Sequence, residues 1–134
     1  LKRKSLGKIK QEVQKVVNKY IRLRDAGKPC ISCGKRKKLQ AGHYYNVKNY
    51  DHFRFDERNI NGECAGCNCF NESHLISYGI NLNKKIGSIK LDYLHFEVGE
   101  YRKDRLNLKY KWDRDMLEEI KKEYQLKIAE LENK

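Results

Sequence analysis

A chain of 134 residues, 36% charged and 39% hydrophobic, has room for one domain with a thin core, which a cross-link of some kind would help to hold. Its 30 Lys and Arg against 18 Asp and Glu give a net charge of +12, which favours a polyanionic partner, nucleic acid before membrane. No apolar run approaches a membrane span and nothing resembles a secretion signal, so the cytoplasm is the default expectation. The chain opens on Leu1 rather than Met, as a fragment or a processed chain would.

In chain order, Ile9, Val13, Val16, Val17, Tyr20 and Ile21 recur at helical spacing between Lys, Gln and Asn. That predicts an amphipathic helix over about residues 6–26, closed by Gly27 and Pro29. Residues 30–69 break the pattern and are rich in Gly, Asn, Tyr and Cys. They hold strand-like pieces at Gln40–Tyr45, at Phe53–Phe55 and near Asn59–Glu63, and a short helix starts at the second cysteine pair. Leu75–Ile86 and Ile89–Phe96 read as helical pieces separated by Gly87, and residues 99–111 as a basic loop or extended segment. Asp113 then caps a last helix carrying Met116, Leu117, Ile120, Tyr124, Ile128 and Leu131. Each terminal helix has one apolar stripe, to be buried on its own domain or on another chain.

Cys30-x-x-Cys33 and Cys64-x-x-Cys67 form the strongest local signal. Each turn aims two thiolates at one point, and two such turns complete a tetrahedron around zinc; disulfides or free thiols are the alternative. Four thiolates leave no open position, so zinc here folds the chain and performs no chemistry. Cys69 is left over, and a buried thiol is the expectation for it.

Three residues near these pairs have no part in a structural zinc site: His43, Asn59, and Asn68 directly behind Cys67. Their spacing resembles the HNH, or His-Me finger, nucleases. In that ββα-metal fold a histidine ends the first strand, an asparagine sits centrally, and a His or Asn on the helix binds the metal. Arg24-Asp-Ala, Pro29-Cys-Ile-Ser-Cys-Gly, Ala-Gly-His-Tyr44, Arg54-Phe, Asn59-Ile and Cys67-Asn68 further look like the phage lambda NinG (Rap) family, over most of the chain. The resemblance implies an α+β fold: a zinc-stapled ββα-metal core at 28–75, an N-terminal helical arm at 6–27 and a helical C-terminal region at 76–134. It also implies an endonuclease acting on branched recombination intermediates such as Holliday junctions and D-loops. A second copy is expected, because a two-fold junction asks for two cuts and one chain offers one His43–Asn68 site. The two terminal stripes are the surfaces available for that homodimer.

Phosphodiester hydrolysis needs an activated water, in-line geometry and charge stabilisation. In the implied roles His43 takes the proton from water, and Asn59 fixes the loop and the imidazole's orientation. Asn68 holds a catalytic Mg²⁺ or Mn²⁺. One departure stands out. Many HNH enzymes carry an Asp or His directly before the base, and here that position is Gly42. Glu72, four residues after Asn68 and so on the same helical face, is the first candidate for a second ligand. His74 and His52 are weaker candidates, and water can also fill the shell, since magnesium keeps several waters readily.

For the DNA surface, Lys35, Arg36, Lys37 and Lys38 follow the first cysteine turn, and a second basic set runs from Lys84 to Arg114. Tyr44, Tyr45, Tyr50, Tyr101 and Tyr110 are interleaved with them, a pattern suited to phosphate contact and stacking on unpaired bases. The family pattern sets Arg54 beside the active site, where a guanidinium can grip a phosphate bidentately. Two other readings stay open: a non-catalytic zinc-containing nucleic-acid-binding module, and a protein-interaction adaptor.

Overall fold

The computed structural model describes residues 3–70, 73–104 and 108–134, with the side chains of Phe70 and Leu108 left aside. Helix α1 spans Leu6–Arg24; Ser5 caps it, its hydroxyl accepting from the Lys8 N–H at 3.2 Å. Ile9, Val13, Val17 and Ile21, one per turn, are its buried stripe. Strands β1 (Leu39–His43) and β2 (Ile60–Cys64) pair antiparallel, with His43 opposite Ile60, Gly42 opposite Asn61 and Gln40 opposite Glu63. Helix α2 (Ala65–Phe70) follows β2 directly, and α3 (His74–Ile86) and α4 (Ser88–Lys103) meet at Gly87, whose φ of 89° suits glycine alone. The last helix, α5, spans Arg114–Glu132, and the Asp113 carboxylate accepts from the Met116 N–H at 2.9 Å.

The two terminal helices run in the same direction against each other. Glu12 meets Lys121 at 3.8 Å, Lys19 meets Glu132 at 3.2 Å further along, and the Tyr20 and Tyr124 rings touch edge to face at 5.2 Å. Their stripes close on Phe55, Ile60, Ala41 and Trp112 as one core. A second core gathers Tyr78, Leu82, Leu91, Leu94 and Val98 from α3 and α4 with Ile31 and Phe53. The hairpin lies between: His43, Ala41 and Ile60 face α1, while Gly42, Asn61 and Glu63 alternate toward α2 and α3. All five residues of β2 are buried as a result. The Tyr78 hydroxyl ties α3 to the hairpin, donating to the Gly42 carbonyl at 2.7 Å and accepting from Asn61 Nδ2 at 3.1 Å.

Several expectations are corrected by this packing. Phe53–Phe55 is not a strand; Asp51–Phe53 forms a short 3₁₀ turn. The alternation of two phenylalanines arises because Phe53 fills the α3–α4 core and Phe55 the α1–α5 core. Residues 99–103 are helical, since Val98 is buried in α4 and Tyr101 packs beside it, which outweighs the basic composition. The stripes expected to serve a homodimer are consumed within the chain. Cys69 is exposed, because two residues beyond Cys67 on a helix turn it to the far side. Among the described residues no helix is long and apolar enough to cross a membrane.

Candidate metal and catalytic site

The four cysteines converge as their spacing predicts. All four sulfurs lie within 4.8 Å of one another, and Cys33 and Cys64 are 3.9 Å apart. Zinc–sulfur bonds of about 2.3 Å in a tetrahedron require sulfurs about 3.8 Å apart, so the set fits zinc closely. Cys30 Sγ accepts from the backbone N–H groups of Ser32, Cys33 and Cys64 at 3.4, 3.5 and 3.3 Å, donors that favour a thiolate. The first turn closes through Gly34, at φ 73°, whose N–H reaches the Cys30 carbonyl at 2.9 Å. Zinc in this cluster would join the loop before β1 to the junction of β2 and α2.

His43 ends β1. Its Nε2 lies 2.9 Å from the Arg54 carbonyl, so the neutral ring donates there and keeps its lone pair on Nδ1. The same carbonyl accepts from Gln14 Nε2 at 2.9 Å, and Gln14 Oε1 accepts from Arg54 Nε at 3.0 Å. Gln14, on the α1 face that looks at the hairpin, thus clamps the residue that orients the imidazole. Burial lowers the His43 pKa below its usual 6.5; the Arg54 carbonyl raises it less, and the Arg54 charge adds to the lowering. The ring is a neutral base at pH 7.

Asn59 is fully buried just before β2. Its Oδ1 accepts from the Tyr45 N–H at 2.7 Å, and its Nδ2 donates to the carbonyls of Tyr45 and Phe53 at 3.0 and 3.1 Å. Its own carbonyl accepts from the Tyr44 N–H at 2.9 Å. One amide therefore pins both ends of the loop: the residues just after His43, and the residue before Arg54.

Asn68 sits on α2, on the other side of the hairpin. Its Nδ2 donates to Gln40 Oε1 at 2.9 Å, which leaves Oδ1 directed at Gly42, 3.2 Å from where a Cβ there would be. His43 on the strand and the Asn68 amide beside Gly42 therefore meet consecutive residues of β1, whose Cα atoms are about 3.8 Å apart. Glu72 lies outside the described residues. His52 is packed in an aromatic cluster, stacked with Trp112 and Tyr101 at 5.7 and 6.1 Å. His74 spends its Nδ1 on Glu63 Oε2 at 2.6 Å.

Arg54 adjoins His43 through its carbonyl. Its side chain is 12% exposed, and the guanidinium already engages Gln14 through Nε and Asp51 through Nη1, at 3.0 Å each. Lys35, Arg36, Lys37 and Lys38 form an exposed basic run before β1, with Arg36 Nη1 bonded to the Gly27 carbonyl. Tyr44 is half-buried, its ring against Tyr45 and Tyr78 and its hydroxyl against Gly79, so it packs on α3 rather than standing free for bases. The Lys85 ammonium is also engaged within the chain, paired with Asp25 at 2.8 Å. Sequence reasoning missed Gln14 and Glu63: both reach the site across the fold, and the only sequence signal was a charged Glu inside a short strand-like stretch ending at a cysteine.

A family model described as Bacteriophage Lambda NinG protein matches residues 1–134. Protein ninG of Salmonella phage P22 is 35% identical over 123 residues, covering 90% of this chain and 56% of that protein. Protein ninG of Escherichia phage lambda is 34% identical over 125 residues, covering 92% of this chain and 57% of that protein. The chain thus spans little more than half the length of these relatives. No solved structure matches.

Proposed function

Because the chain belongs to the NinG family of phage proteins, we propose that it is a metal-dependent endonuclease that hydrolyses phosphodiester bonds in branched DNA during phage recombination. The observation that carries this reading is the way His43 is held. Burial keeps the ring neutral, the Arg54 carbonyl fixes its tautomer, Gln14 holds that carbonyl, and Asn59 holds the Phe53 carbonyl one residue before it. A general base needs one defined lone pair, and these contacts assign it to Nδ1.

In this reading Nδ1 of His43 takes a proton from the attacking water, and the clamped ring keeps its aim as charge develops. Asn68 Oδ1 would hold a divalent ion, Mg²⁺ or Mn²⁺, which when bound polarises the phosphate and neutralises the departing 3′-oxygen. Arg54, with Nε and Nη1 engaged within the chain, orients a phosphate at most through Nη2. The exposed run Lys35–Lys38 supplies backbone attraction without reading sequence. Two-fold junctions still favour a pair of chains, on a surface other than the α1 and α5 stripes.

A second reading, a non-catalytic zinc-containing DNA-binding module, is favoured by Gly42 alone, where a metal ligand is expected. Labelled four-way junction, flap and linear duplex, incubated with the zinc-loaded protein with Mg²⁺ or without added divalent ion, separate the two. Cleavage of branched substrate only with the metal supports the nuclease. Binding with no cleavage in either condition supports the module.

A further inference from the structure

Asp25 and Glu63 are buried carboxylates with different surroundings. Asp25 is saturated, accepting from Arg24, from Lys85 and from the Gly62 N–H. Glu63 is fully buried and only half satisfied. Its Oε2 accepts from the Ser32 hydroxyl and from His74 Nδ1, while Oε1 has no hydrogen-bond partner among the described residues. A buried carboxylate oxygen without a donor is costly and calls for an explanation.

Its direction supplies one. A Cβ on residue 42 would lie 2.2 Å from Glu63 Oε1, 2.9 Å from Glu63 Cβ and 3.2 Å from Asn68 Oδ1. The space that an acidic side chain at position 42 would occupy is therefore filled by the Glu63 carboxylate, reaching across from the paired strand. Glycine at 42 is what this arrangement requires. Two acceptor oxygens, one from a carboxylate and one from an amide, lie together beside Gly42. Asn68 turns its Oδ1 there because Gln40 takes its amide hydrogen.

We propose that Glu63 Oε1 and Asn68 Oδ1 together bind the divalent cation, so that Glu63 on β2 supplies the ligand that Gly42 on β1 lacks. This rests on the nuclease reading and specifies its metal site. An oxygen pair of one carboxylate and one amide suits a hard cation that keeps several waters. His74 and Ser32 are positioning residues: by occupying Oε2 they leave Oε1 as the free ligand atom. Ser32 also lies inside the first cysteine turn, so the structural zinc cluster and the cation site share a strut.

Mn²⁺ binding to the zinc-loaded full chain, followed by electron paramagnetic resonance of the free ion, tests this without any cleavage assay. Wild type should take up one Mn²⁺ beyond its zinc, and Glu63→Gln should weaken it at least about tenfold with zinc retained. Glu63→Gly with Gly42→Asp, which moves the carboxylate back across the strands and removes the clashing Cβ, should restore binding that Glu63→Gly alone lacks. In wild type itself, bound Mn²⁺ should broaden the Asn68 side-chain NH₂ and Glu63 amide resonances first, a readout that holds even if a variant fails to fold. Wild-type affinity in Glu63→Gln, or broadening centred elsewhere, overturns the proposal. If Asn68→Ala weakens Mn²⁺ and Glu63→Gln does not, Glu63 falls alone. If wild type takes up no Mn²⁺ at all, the nuclease reading falls with it.

Discussion

Replacing Asn59 with Ala removes three side-chain hydrogen bonds made at a position with no solvent access: to the Tyr45 N–H and to the Tyr45 and Phe53 carbonyls. A hydrogen bond contributes about 1 kcal/mol net, and a buried group left unpaired costs about 1–3 kcal/mol. The Tyr45 N–H is stranded and two carbonyls lose their donor, which puts the expected loss at about 3–5 kcal/mol, a large part of the 5–15 kcal/mol typical of a domain. Asn59→Asp keeps the size but sets an oxygen against those two carbonyls, and should be no milder at neutral pH. Urea unfolding at saturating zinc, followed by far-ultraviolet circular dichroism, measures the loss. Where the variant remains folded, the segment carrying Arg54 loses its anchor at the Phe53 carbonyl while Gln14 still holds the Arg54 carbonyl, and cleavage should fall further than DNA binding. A loss below about 1 kcal/mol would refute the claim that this amide pins the loop.

Removing zinc, by chelation or by Cys64→Ser, should unfold the hairpin region, since such sites contribute about 10–16 kcal/mol, comparable to a whole domain's stability; active protein that carries no zinc by elemental analysis would contradict this. The acid limb of kcat/KM should fall below pH 6.5, because burial lowers the His43 pKa from that value. The same shift makes His43 favour folding above pH 6.5, a contribution lost as pH drops toward its folded pKa, and a limb above 6.5 would show that another group is the base. Junction binding should weaken roughly 10³–10⁵-fold between about 50 and 200 mM salt if about 6–10 phosphates are neutralised. A flat response would favour a protein-interaction role. Gln14→Ala should depress cleavage while leaving zinc content unchanged, and wild-type cleavage would remove Gln14 from the account.

The parts of this fold that were legible in the sequence are those specified by local spacing. One apolar residue per turn marked α1 and α5, Asp113 announced the final cap, and two Cys-x-x-Cys turns announced the sulfur cluster. What escaped depends on where the chain goes afterwards. Phe53 and Phe55 mimic a strand because each enters a different core, and neither core can be inferred from the segment itself. Gln14 reaches Arg54 across forty positions, and Glu63 gains its meaning only once β2 pairs with β1 and sets its carboxylate beside Gly42. The absence of an acidic side chain at 42 was visible; that Glu63 of the neighbouring strand fills the space beside it was not. The terminal stripes were equally compatible with a partner chain, and packing on each other decided the matter.

The central claim is that His43 is a general base, and its most direct test is single-turnover cleavage of four-way junction DNA by His43→Ala in saturating Mg²⁺. The account predicts junction affinity and zinc content like those of the wild type, with a cleavage rate lower by about 10²–10⁴. Cleavage by His43→Ala at the wild-type rate would contradict it.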